Sequence, residues 1–221
     1  MLDLHPAVLI SRIIVLFTAF SVHEFAHAWT ANYFGDSTPK INGRLTLNPL
    51  AHLDPMGSLL LVVAGFGWAK PVPVNPYTLR QRAPSAMMWV SLAGPLSNFL
   101  MALLAAIPFQ LGLISHDQLY SALATQSSTI LPTPAGFLWE FITLNLVLML
   151  FNLIPLPPLD GDKILDFFLP ERWQDAVARI RPYGPMVLIA LFLVGPYVGL
   201  DVLGWILGPP LRFLVTLLVG L

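Results

Sequence analysis

An apolar run at residues 7–33, long enough to cross a bilayer as a helix, carries His23, Glu24 and His27 near its far end. Ionisable groups are costly inside a span and are usually functional, so three of them on one turn need a common purpose. Positions four apart stack on one face of a helix, which sets both imidazoles side by side. So placed, they can grip one metal ion. Glu24, next to the first histidine, can reach a water at that ion and act as general base without being a ligand itself. Zinc is the metal best suited to two imidazoles and a carboxylate. The plainer alternative is three polar residues at the wet end of a helix touching headgroups, and it leaves their clustering unexplained.

Composition fits a membrane setting. Residues are 56% hydrophobic and 10% charged, against roughly 25% charged in a soluble domain, and mean hydropathy is +0.74. A net charge of −1 offers no basic surface for nucleic acid. The absence of cysteine excludes disulfides and thiolate ligands. With 21 prolines and 15 glycines, the chain is richer in helix breakers than a simple bundle of spans requires. Irregular backbone at membrane depth persists only where protein buries it or where it lines a watery cavity, so interrupted helices and re-entrant loops are expected. Residues 1–6 lack the positive charge of a signal peptide, and the run that follows is expected to stay as a transmembrane helix.

The pattern predicts an all-α polytopic membrane protein: a three-span catalytic core, a re-entrant or short β segment, and about two C-terminal hydrophobic spans. It should form one membrane-embedded domain over residues 1–221, with its core at about 7–168 and a hydrophobic tail at about 184–221. Span one is residues 7–33, stopped at Gly35, with Arg12 snorkelling to the interface as an anchor. Residues 36–84 are broken by proline and glycine, and the apolar stretch 56–66 is too short to span. Basic residues Lys40, Arg44, Lys70, Arg80 and Arg82 flank it on both sides, which favours a re-entrant segment on the cytoplasmic side. Residues 70–75 alternate valine with proline, consistent with an edge strand that holds an extended peptide or with a plain connector. Span two, residues 85–113, contains Gly94-Pro95 and turns Asn98 toward the bundle. The loop 114–135, with His116 solvated, lies outside, and span three, residues 136–153, returns inward with Glu140 near its outer end. Residues 171–181 read as a cytoplasmic surface helix. His5 and His52 read as interfacial or loop histidines.

By parity, span three delivers Asp160 to the level of His27 through a proline-stiffened loop, with Gly161 permitting close backbone approach. Asp160 is therefore the favoured third ligand. Asp54, Asp162 and Asp166 are its rivals, and a helix cap is its alternative role.

His23-Glu24-x-x-His27, Gly94-Pro95-x-x-Asn98 and Asn152-x-x-Pro155 running into Leu159-Asp160-Gly161 occur in that order on successive spans. In this the chain resembles the site-2 protease family of intramembrane zinc metalloproteases, and residues 42–55 and 70–75 are similar to its short prokaryotic branch. The resemblance implies His23, His27 and Asp160 as ligands of one zinc ion per chain, Glu24 as base, and Asn98 with Asn152 as polar residues near the substrate. No room for the PDZ or CBS modules of other members is expected. The implied activity is hydrolysis of a peptide bond in or near the transmembrane segment of a membrane-protein substrate, with the site toward the cytoplasmic face of a prokaryotic inner membrane. Two other classes use the same ligands: a zinc transporter and an inactive scaffold. Transport predicts further ionisable groups along spans two and three, where only Glu140 occurs.

Overall fold

The computed structural model describes residues 5–54, 57, 68–195, 199 and 201–221. Among these, four helices are long and apolar enough to cross a membrane: α1 (Pro6–Tyr33), then later in the chain Ala86–Gln110, Pro134–Asn152 and Val202–Val219. Helix α1 has 28 residues, about 42 Å at 1.5 Å per residue. Proline occupies its first position, where no N–H is needed. It stops before Gly35, whose φ of 87° few other residues tolerate.

Short elements follow: α2 (Thr38–Ile41), a 3-10 turn at Pro49–Ala51, and α3 (Pro76–Arg82), which Asn75 caps through its side chain. Next come α4 (Ala86–Gln110), α5 (His116–Thr125) and α6 (Pro134–Asn152). The chain continues through α7 (Asp160–Phe168), α8 (Glu171–Ile180), α9 (Gly184–Leu193) and α10 (Val202–Val219).

Helices α1, α4 and α6 pack together as the core, and α10 lies against α6 and α4. The seam of α1 is legible residue by residue: Ala7, Ser11, Val15, Ala19, His23, His27 and Ala31 recur every four positions and all are buried. Residues in this i±4 row form one ridge, and its small members let neighbouring helices come close. Both histidines belong to the ridge, so the packing that assembles the bundle also turns them inward. Ala102 and Ala106 of α4 serve the same close approach at the other end, packed with Ile142 and Leu146 of α6 and Leu218 of α10.

Several expectations change. Arg12 is not a free anchor: its Nε lies 3.2 Å from Glu140 Oε2 on α6, each charge offsetting the other's desolvation. The loop 114–135 contains α5, opened by a Ser115/Gln118 capping box, and His116 bonds the Val219 carbonyl at 3.0 Å. His52 is buried, bonded to Thr46 O. The tail holds one helix of spanning length among the described residues, not two, since α9 has only ten residues. No strand forms among the described residues; there is one isolated antiparallel bridge, Leu53 with Ala69. The expected re-entrant stretch 56–66 lies outside the described residues apart from Gly57.

Candidate metal centre

Three ligating atoms converge between α1 and α7. His23 Nε2 and His27 Nε2 are 2.9 Å apart, and each is 3.2 Å from Asp160 Oδ2. All three residues are buried. Tetrahedral zinc with bonds of about 2.0–2.1 Å separates its donors by about 3.3–3.4 Å, close to this triangle.

The outer nitrogens decide what the inner ones can do. His27 Nδ1 lies 2.6 Å from the Val90 carbonyl, and His23 Nδ1 lies 2.6 Å from Asn98 Oδ1. Both acceptors require a proton on Nδ1, so in the neutral rings both Nε2 atoms present bare lone pairs. Two lone pairs and a carboxylate oxygen facing one another need a cation among them. The donor set thus fits zinc.

Helix α4 is shaped around this triangle. A Cβ on Gly94 would stand 2.5 Å from His23 Nε2 and closer still to His27 Nε2, so only glycine leaves room there. Asn98 is fully buried; its Nδ2 donates to Asn145 Oδ1 on α6 at 2.9 Å, and Asn145 Nδ2 donates to the Phe141 carbonyl at 2.8 Å. Asn145 was not singled out from the sequence, although a buried amide in mid-span is a signal that could have found it.

Asp160 arrives as the first residue of α7, after a turn that runs from the end of α6 through Pro155, Pro157 and Pro158. A Cβ on Gly161 would meet the Leu153 and Ile154 carbonyls, so glycine lets α7 close onto the end of α6. Burial raises the Asp160 carboxyl, but a proton on His27, and then on His23, in the position a metal would take outweighs that and holds it well below the usual carboxylate range. Its rivals have other partners. Asp162 and Asp166 pair with Arg181 at 3.1 and 2.7 Å, and Asp54 Oδ1 accepts the Gly57 N–H.

Glu24 is buried and lines the same cavity as the three ligands, and its Oε2 accepts the Val72 N–H of the segment 70–75 at 3.0 Å. That segment is extended and held by side chains. Asp36, almost fully buried, accepts the Asn75 N–H at 2.6 Å. Buried Arg44 donates to the Ala51 and Lys70 carbonyls, and the Lys70 N–H donates to His52 O at 2.7 Å. No sequence pattern marked Asp36. A cavity of about 440 Å³ opens between this segment and the triangle, walled by Trp68, Val72, Met87, Phe151, Leu188 and Ile189. Asn152 lines it, with its Nδ2 bonded to the Leu148 carbonyl, whereas Asn98 does not reach it.

Comparison with known proteins gives consistent matches. The family model described as Peptidase family M50 matches residues 11–195. "Putative zinc metalloprotease YwhC" of Bacillus subtilis is 44% identical over 84% of this chain and 82% of its own length. "Putative zinc metalloprotease Rip2" of Mycolicibacterium smegmatis is 33% identical over 78% of this chain and 62% of its own. No solved structure matches.

Proposed function

The chain belongs to peptidase family M50, the site-2 protease family, and from that premise we propose that it hydrolyses a peptide bond in or near the transmembrane segment of a membrane-protein substrate. It is a zinc metalloendopeptidase and a multi-pass membrane protein. His23, His27 and Asp160 hold the zinc. The observation that carries this assignment is the convergence of their ligand atoms at 2.9 to 3.2 Å with both Nδ1 atoms committed to acceptors outside the triangle.

Zinc bound there supplies Lewis-acid chemistry, acidifying a water toward a pKa of about 7 and polarising a carbonyl oxygen. Glu24 is the base: its carboxylate, at the cavity wall, takes a proton from the attacking water and returns it to the leaving amine. A helical substrate has its carbonyls tied up in its own backbone bonds, so it must unwind before cleavage. The extended segment 70–75 is the surface against which the unwound strand lies. Pro71 and Pro73 have no N–H to give and the Val72 N–H is held by Glu24, which leaves Val74 as the segment's amide donor toward a strand in the cavity. Asn152, at the opposite wall, is a polar contact for the substrate, and Asn98 orients His23. Apolar walls exclude bulk water and suit a hydrophobic substrate segment.

Nine of the 11 Lys and Arg residues, all but Arg12 and Arg212, lie in segments joined at the metal-bearing ends of the core helices. That bias supports a site toward the cytoplasm, and the bacterial relatives support a prokaryotic inner membrane. Glu140, the ionisable group a transport path would use, is committed to Arg12. The test is zinc content and cleavage of a single-span substrate by wild type, Asp160→Ala and Glu24→Gln. One zinc per chain, lost with Asp160 and kept without Glu24, and cleavage lost in both variants is the expected result. Zinc indifferent to Asp160, or cleavage surviving Glu24→Gln, refutes the corresponding assignment.

A further inference from the structure

Helix α8 (Glu171–Ile180) has a face the bundle does not use. Trp173, Ala176, Val177 and Ile180 fall at spacings of three and four, on one side of the helix. Trp173 is 55% exposed and Ile180 62% exposed, and among the described residues the substantial contact of α8 is with the turn that follows it. Bordering the apolar stripe, seven residues and so two turns apart on one side of the helix, are Arg172 and Arg179. Both are exposed, with no ion-pair partner among the described residues. Asp175, three residues after Arg172 and four before Arg179, lies on the polar face beside them and away from the stripe. Arg181, just past the end, is bound to Asp162 and Asp166 of α7, the helix that begins with Asp160, so α8 is held at the metal-bearing end of the bundle.

We propose that α8 is a lipid-binding helix lying in the headgroup plane on the metal-bearing side, with Trp173, Ala176, Val177 and Ile180 among acyl chains and Arg172 and Arg179 on the phosphates of anionic phospholipid. Two observations choose this occupant. The apolar stripe continues into exposed apolar residues on both sides, Phe167 and Phe168 before it and Tyr183 and Met186 after it, in a protein whose spanning helices already sit in lipid. The arginines line one border of the stripe, as charge does on helices that lie in an interface, where the headgroups next to a buried apolar face carry the complementary charge.

The full chain, reconstituted in phosphatidylcholine vesicles with or without phosphatidylglycerol, tests this. Since the chain has no cysteine, Val177→Cys and Asp175→Cys each take a single fluorophore, and Ala176→Cys stands in should Val177→Cys fold poorly. The expected result is quenching at 177 by brominated acyl chains with shielding from aqueous iodide, and the reverse at 175. Brominated phosphatidylglycerol should quench at 177 severalfold more than brominated phosphatidylcholine. High salt or the pair Arg172→Gln and Arg179→Gln should erase that preference while zinc content stays unchanged. Iodide reaching 177 as readily as 175 overturns the proposal, as does equal quenching by the two lipids. A 177–177 disulfide with both quenchers excluded would give the face to a second copy and also overturn it.

Discussion

His23 Nδ1 stands 2.6 Å from Asn98 Oδ1, the first link of a relay that ends on a backbone carbonyl. Asn98 Nδ2 donates to Asn145 Oδ1, and Asn145 Nδ2 to Phe141 O. A carbonyl can only accept, so the orientation of each amide follows in turn, and with it the proton on His23 Nδ1. Helices α4 and α6 thereby fix the tautomer of a residue on α1.

Removing the first link should loosen the ring and weaken zinc binding. Asn98→Ala is expected to reduce zinc affinity by about 10- to 100-fold, the usual effect of losing a group that orients a ligand. Asn98→Asp keeps an acceptor for Nδ1 but loses the N–H that Asn145 Oδ1 accepts, so it should recover only part of it. Competition with a chelator of known affinity measures both. Wild-type affinity in Asn98→Ala would remove Asn98 from the positioning role.

Gly94→Ala adds one methyl group, and adds it between the imidazoles. The backbone cannot yield easily, because Pro95 and the packed α4 hold it, so the histidines must turn away. Zinc and cleavage should both fall to background while the thermal unfolding midpoint of the metal-free protein moves by only a few degrees. A Gly94→Ala variant with full zinc would mean that the ring positions differ from those described.

What could be read from the sequence divides along local and non-local lines. The spacing of His23 and His27 is a property of one helix, and Asp160 follows from counting crossings. Both needed no knowledge of packing. The Arg12–Glu140 pair joins positions 128 apart in sequence; each lies about a turn and a half from the start of its helix, yet only the parallel packing of α1 and α6 brings them level. Between the two readings of the segment 70–75, edge strand or plain connector, no strand forms. Its alternation suits an edge strand, but Pro71 and Pro73 remove the N–H groups a ladder needs, and its anchors are the side chains of Glu24, Asp36 and Arg44. Composition alone could not divide the tail, because α9 is as apolar as a span and half the length.

The Arg12–Glu140 pair separates structural from transport roles. Arg12→Leu leaves Glu140 buried without its partner. Arg12 is 34% exposed, so the cost should be about 1–3 kcal/mol, below the 3–5 kcal/mol of a fully buried pair. Adding Glu140→Leu should restore stability in detergent and leave cleavage intact, since neither residue touches the cavity. A double variant that stays destabilised would show that more than the pair's charges is at stake.

Asp36 is the residue through which the extended segment is held to α1. Its two carboxylate oxygens accept the Thr38 and Asn75 N–H groups at 3.0 and 2.6 Å, so it joins the end of α1 to the far end of the stretch whose middle donates to Glu24. Asp36→Ala strips both partners at a buried position, a stability cost of about 1–3 kcal/mol, and releases Asn75. If the segment is where substrate lies, KM should rise by roughly tenfold while kcat falls less, because the interaction lost is made with bound substrate before and during the reaction. Zinc content should not change, as Asp36 touches no ligand. Asp36→Asn retains one acceptor oxygen and should fall between. A drop confined to kcat would tie Asp36 to the positioning of Glu24 instead, since the segment Asp36 anchors at Asn75 is the one whose Val72 N–H bonds Glu24.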